Sequence, residues 1–223
     1  MSTDAPRLLV VGNFGPEHVG RHFAEAARAL GIDYTALATT AAYEGPPWAR
    51  RLFWQFGHRP LRIGRFGGAD PDRVPVMTAL IRSGLRVALY GGYWDRFEAT
   101  RPAARGMLDM AGIRHATGAA RVSLCLVRRA NRDGHAMRSF EAPAMRGCLL
   151  VEATPDHREM FGPEGEAALY FRTPEEAAAQ AHRLLSDAPL RDALAARAHA
   201  RVTSGANTYA DRLRSILAVS APA

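Results

Sequence analysis

Ionisable groups crowd one short stretch of this 223-residue chain: RRANRDGHAMRSFEAPAMRG, Arg128 to Gly147, lies between the apolar runs RVSLCLV and CLLVE. Guanidinium groups at Arg128, Arg129 and Arg138 offer planar forks that match phosphate oxygens. A carboxylate such as Glu141 accepts two hydroxyl hydrogen bonds at once, which suits a ribose diol. Asp133 with Gly134 reads as a turn, and Met137 to Arg146 as a helix that Pro143 shortens or kinks. The start of such a helix adds free N–H groups and a positive dipole end, a setting for a diphosphate in which Ser139 joins the candidate nucleotide-binding set. A plainer reading stands beside this one: Glu141 complements the helix dipole and Asp133 starts a turn, with no ligand involved.

The elements that must position these groups follow from the apolar pattern. RLLVVG, GRHFAEAARALG and IDYTALATT read as strand, helix and strand. YEGPPWARRLFWQFGH then breaks the pattern with turn residues and an amphipathic fragment. Alternation resumes with the strand LRIGRF and the helix VMTALIRSG, for which Asp72 is the expected N-cap and Pro75 falls in the first turn. LRVALYGG reads as a strand, WDRFEATRPAARG as a loop, MLDMAGIRHATGAA as a helix and RVSLCLV as a strand. After the charged stretch come the strand CLLVE, the helix PDHREMF closed by Gly162, and the strand AALYFR. TPEEAAAQAHRLLSD carries a capping box, Thr173 with Glu176, and Pro174 at the first helical position. LRDALAARAHARVTSG and NTYADRLRSILAV complete a helical tail.

Such alternation predicts an α/β chain, a Rossmann-like parallel sheet with helices on both faces. Ligands bind such sheets at the strand C-terminal ends, where the segment after RVSLCLV emerges. The pattern divides the chain into an abbreviated N-terminal Rossmann-like part (residues 1–59), a second Rossmann-like domain (60–206) and a C-terminal helix (207–223) that packs back on the first part.

Composition narrows the function classes. The formal charge is +7, and all 29 basic residues are Arg. They are spread along the chain with little aromatic interleaving, so the charge reads as a solvated surface rather than a nucleic-acid groove. Cys125 and Cys148 sit inside apolar runs and read as buried free thiols. No basic segment followed by an apolar one marks a signal peptide, and no apolar run is long enough to span a bilayer; the expectation is a soluble, cytoplasmic protein. DPD (Asp70 to Asp72) has the look of a metal motif, but Pro71 stiffens it and Asp72 fits a helix cap, so no metal is expected there. GNFGPEHVG has the spacing of a phosphate loop, yet Arg21-His22 stand in place of Lys-Ser/Thr and exclude an ATPase reading. Gly15 and Gly20 allow close backbone approach at a cleft, and His18 or His22 can serve as acid, base or donor.

The stretch RSFEAPAMRGCLLVEATPDHREMFGPEGEAALYFRTPEEAAAQAHRLL resembles the C-terminal half of GT-B glycosyltransferases, in particular the CgeB-like (spore-maturation-like) group. R-x-F-E-A-x-A at its head, a later Pro, F-x-P, an apolar strand and x-P-E-E carry the likeness. It extends over roughly Phe66 to Leu217 and again over GNFGPEHVGRHFAEAARALG. The resemblance implies sugar transfer from a nucleotide-diphosphate donor, retaining and without a metal or other cofactor, to an unknown acceptor. Retaining relatives carry two acidic residues separated by seven others, the spacing of Asp133 and Glu141. On that analogy Glu141 holds the ribose, Asp133 sits near the donor sugar and Arg138 neutralises the diphosphate. Arg73, after the Gly67-Gly68 loop, is a second candidate for the phosphates, and Tyr93 and Trp94 for the nucleobase. The first part looks shortened against a GT-B acceptor domain, so a homo-oligomer or partner would complete that side. Two other readings remain open: a non-catalytic nucleotide-sugar-binding module, and a basic interaction protein with no small-molecule site.

Overall fold

A computed structural model of the chain describes residues 8–12, 14–15, 18–38, 72–127 and 134–220. The expected strand LRIGRF, the stretch YEGPPWARRLFWQFGH, and Gly68, Arg128, Arg129 and Asp133 lie outside the described residues. Two compact units divide the chain, Met1–Arg62 with Ala206–Ala223 and Ile63–Gly205. No helix among the described residues is long and apolar enough to cross a membrane.

In the first unit β1 (Leu8–Gly12) and β2 (Tyr34–Ala38) pair in parallel, Leu8 opposite Tyr34 through Gly12 opposite Ala38. The connecting helix α1 (Val19–Ala29) ends at Gly31, whose φ of 65° suits a residue without a Cβ. Ala26 and Ala27 of α1 are small enough to bring the helix close to Leu213 of the last helix, Tyr209–Ser220. Tyr209 meets Phe23 edge-on at 5.2 Å between ring centroids and stacks on His22 at 5.0 Å.

The second unit holds α2 (Val74–Arg82), β3 (Leu89–Tyr90), β4 (Ala104–Gly106), α3 (Met110–Ala119), β5 (Ser123–Cys125), α4 (Arg138–Ala144), β6 (Leu149–Glu152), α5 (Pro155–Phe161), β7 (Leu169–Phe171), α6 (Pro174–Ser186) and α7 (Ala188–Ser204). Every pairing is parallel: β3 with β4, and β5, β6 and β7 in that order. Side chains of β6 alternate between faces. Leu150 joins Leu169 and Phe171 in a core shared with Val76, Met77 and Leu80 of α2 and Ala177, Ala181 and Leu184 of α6. Leu149 and Val151 join Cys125 and Tyr170 against Ala142 of α4, Phe161 of α5, and Ala198 and Val202 of α7. Both faces are covered, which is why this strand reads as an unbroken apolar run. Each such side chain stabilises the fold by about 1.5–3 kcal/mol relative to exposure.

Capping follows the sequence closely at α6. Thr173 accepts from the Glu176 N–H at 3.2 Å, and the Glu176 carboxylate accepts from the Arg172 N–H at 2.7 Å, one residue before the usual partner. Elsewhere the structure corrects the expectation. Arg73, not Asp72, occupies the cap position of α2, in αR conformation and without a capping side chain. Only Leu89 and Tyr90 of LRVALYGG enter a ladder. WDRFEATRPAARG is not a plain loop: 3-10 turns form at Trp94–Arg96 and Arg101–Ala103, and β4 follows. Thr100 organises it from inside, wholly buried and donating to Trp94 O at 2.7 Å.

The turn that leads from α4 into β6 is built around two unlike residues. Arg146 takes the left-handed conformation, φ 63°, with the Gly147 N–H bonded to Ala142 O at 2.8 Å. A Cβ on Gly147 would lie 3.0 Å from Ala142 O, Ser123 Oγ and Thr117 Cγ2. Urea unfolding is expected to separate the two positions. Arg146→Gly stabilises by about 0.5–1 kcal/mol through release of Cβ strain, whereas Gly147→Ala destabilises by about 1–3 kcal/mol through crowding.

Candidate functional site

The ladder between β5 and β6 ends at Cys125 opposite Val151, so the next backbone groups of β5 need other partners. The Glu152 carboxylate takes one of them, accepting from the Val127 N–H at 3.0 Å. Arg73, reaching from the start of α2, donates through Nη2 to Leu126 O at 3.4 Å. Two ionisable side chains thus fix the backbone that leads into residues 128–133.

Beyond that stretch the chain is fixed again, by the corner between β6 and α5. Thr154 donates through its hydroxyl to Gly134 O and accepts from the His157 N–H at 3.1 Å. Gly134 is pressed against Asp156, whose carboxyl atoms would lie 2.2–2.5 Å from any Cβ at that position. His157 is wholly buried. Its Nδ1 lies 2.7 Å from Glu152 O, and a carbonyl only accepts, so Nδ1 carries the proton. Its Nε2, 2.8 Å from Ser139 Oγ, is then the acceptor and Ser139 the donor. Ser139 Oγ accepts in turn from the Ala136 N–H at 3.2 Å and lies 3.3 Å from the Cys125 thiol.

Burial governs the ionisation of this interior. It holds the His157 imidazole below the ordinary histidine range, partly offset by the bond to Glu152 O. It pushes the Cys125 thiol up, and Cys148 up to about 11. Both cysteines are free and buried, and at neutral pH they behave as small apolar residues.

On the outer side of α4, Arg138 Nη1 lies 3.1 Å from Glu141 Oε2, with the side chains 41% and 23% exposed. A helical pair at this exposure adds only about 0.3–0.5 kcal/mol; its interest is the chemistry it presents. Arg138 is next to Ser139, whose Oγ lies 3.3 Å from the Cys125 thiol at the end of β5, and Arg73 reaches Leu126 O one residue further on. Arg73, Arg138 and Glu141 are therefore gathered at the C-terminal end of β5.

Other expected site residues are placed differently. Ser139 is wholly buried with its hydroxyl engaged in the interior, which removes it from the surface a nucleotide would touch. Trp94 is a core residue, 4% exposed, with its indole N–H on Tyr90 O at 3.3 Å, so it does not wall a nucleobase site. Tyr93 is accessible, held at φ 73° with the Arg96 guanidinium 4.0 Å above its ring. His18 and Gly15 belong to the first unit, where exposed His18 opens α1 without a side-chain cap and its N–H bonds Gly15 O at 3.1 Å. Among the described residues no three His, Cys, Asp or Glu side chains gather as a metal would need. The sequence reading missed Glu152, Thr154 and His157. T-P-D-H does carry a readable cap, Thr154 before Pro155, but nothing local announces the partner of the His157 ring.

A buried neutral imidazole makes stability depend on pH. Below the ordinary histidine value of 6.5 the unfolded chain takes up a proton that folded His157 resists, so acid favours unfolding. Chemical denaturation from pH 8 to 5 is expected to show unfolding free energy falling as pH drops through and below that value. His157→Gln should flatten this slope; an unchanged slope would assign the effect to other groups.

With that geometry in view, relatives can be compared. The likeness to one solved structure, sucrose-phosphate synthase from Thermosynechococcus elongatus, has a TM-score of 0.51 at 13% sequence identity. It covers 96% of this chain and 59% of that one, so this chain spans less than two-thirds of its length. At that identity the likeness bears on fold alone, and the fold is the α/β arrangement of a GT-B glycosyltransferase. No curated protein matches the chain. The glycosyl transferase-like family matches residues 73–218, more than half of the sequence, from Arg73 into the last helix. The chain belongs to the glycosyl transferase-like family.

Proposed function

We propose that the protein transfers a sugar from a nucleotide-diphosphate donor to an acceptor, with the donor held at the C-terminal end of β5. The Arg138–Glu141 pair carries this reading: a guanidinium and a partly exposed carboxylate, 3.1 Å apart, beside the strand end that Arg73 also reaches. Glu141 grips the ribose hydroxyls. Arg138 and Arg73 take the diphosphate, and Asp133, with seven residues between it and Glu141, is the residue assigned to the donor sugar. As the diphosphate departs the sugar gains oxocarbenium character, and fixed guanidinium forks stabilise the departing charge without a metal. On this reading the reaction retains anomeric configuration, the enzyme is of the CgeB-like kind and works in the cytoplasm, and its shortened first unit is completed by a second copy or a partner.

Titration with UDP, GDP and the matching nucleosides tests the assignment. Arg138→Ala is expected to weaken the diphosphate by about tenfold or more, the cost of a charged hydrogen bond, and to leave the nucleoside unchanged. Glu141→Ala should weaken both alike. Absence of binding by any nucleotide, with the wild-type fold intact, would overturn the proposal. The competing reading is a nucleotide-sugar-binding module without turnover. Donor hydrolysis or transfer that is lost in Glu141→Ala decides for the enzyme.

A further inference from the structure

We propose that His157 is a positioning residue for the Arg138–Glu141 pair, acting through Ser139 from the interior side of α4. His157 cannot itself meet a ligand, since it and Ser139 are both wholly buried. The same burial argues against a hydrolytic Ser–His pair, as does the partner of Nδ1, a backbone carbonyl rather than a carboxylate.

Ser139 has one proton to donate, and His157 Nε2 takes it at 2.8 Å. Its oxygen meanwhile accepts from the Ala136 N–H at 3.2 Å, at the approach to α4. These bonds fix the rotation of α4 about its own axis. Ser139 faces inward, and Arg138 and Glu141, three positions apart, share the neighbouring outward face. The other end of the anchor is equally determined: Glu152 O orients the ring at 2.7 Å, and the Glu152 carboxylate holds Val127 at the end of β5. One residue of β6 thereby registers the helix that bears the charged pair with the strand end it faces. If the anchor is lost, both charged side chains move together, because they ride on one short helix.

Two conservative variants separate the halves of the imidazole. His157→Asn keeps a donor near Nδ1 for Glu152 O and loses the acceptor for Ser139; His157→Gln keeps an acceptor near Nε2. Amide hydrogen exchange over residues 136–144 is expected to quicken by about tenfold in His157→Asn and in Ser139→Ala, the effect of one buried hydrogen bond, with exchange in β6 and β7 unchanged. The double variant should be no worse than either single one. His157→Gln should restore wild-type protection. UDP affinity is expected to follow the same order, and this second arm rests on the function proposed above. A wild type that binds neither UDP nor GDP would sink that function while the exchange arm still decides the positioning role. Equal protection in Asn, Gln and wild type would overturn the proposal, as would uniform loss of protection across the unit in both variants.

Discussion

The hydrogen bond from Ser139 to His157 is the constraint on which the charged edge depends. Both groups are wholly buried, and a buried polar group left without its partner costs about 1–3 kcal/mol. Neither can be removed alone without leaving the other unsatisfied. The bond also joins α4 to α5, two helices that pack on β6 through Ala142 and Phe161. Apolar packing draws α4 and α5 onto the sheet but is non-directional. Rotation and register are fixed by the directed contacts: Ser139 to His157, Thr154 to Gly134, and Glu152 to Val127.

A parallel sheet creates the need for such contacts. Its ladder must stop somewhere, and the N–H and C=O groups past the last pair face the low-dielectric rim of the core. Here the ladder stops at Cys125 and Val151, Glu152 and Arg73 meet the Val127 N–H and Leu126 O beyond it, and further polar side chains stand around that strand end in two tiers. The inner tier, Ser139, His157 and the Cys125 thiol, is neutral because burial disfavours every charged form. The outer tier, Arg138 paired with Glu141, is partly exposed. This explains why so many ionisable groups stand at the mouth of the core. The neutral interior network is locked by its hydrogen bonds, while the Arg138–Glu141 pair stands outside it.

The first unit is held by different means. Alanines at positions 26 and 27 let α1 approach Leu213, while Tyr209 lies against both Phe23 and His22. Thus the helix at the C-terminal end of the chain shares a core with the β-α-β opening, a closure of ends far apart in sequence. Arg side chains in the second unit act as struts: Arg201 pairs with Glu166 and Arg197 bonds Gly165 O and Glu166 O, tying the 162–168 loop to α7. Much of the basic charge therefore has structural partners.

Local chemistry is what the sequence by itself determined. The unbroken Leu149–Val151 run meant a strand covered on both sides, Thr173-Pro174 with Glu176 meant a helix start, and Gly31 meant a helix end, because each signal is complete within a few residues. The same holds for Arg138 beside Glu141, whose meeting needs only one helical turn. Tertiary structure alone decided which polar side chains face inward. Ser139 looked like a ligand contact and Trp94 like a nucleobase wall, yet both are buried, and β4 emerged from a stretch with no strand pattern through its pairing with β3, after turns that Thr100 anchors from within. Ser139 and His157 stand 18 residues apart in sequence, with β6 between them along the chain. Hydrophobic periodicity tells which face of an element is buried, but the partner of a single buried hydroxyl is fixed only when the elements have packed.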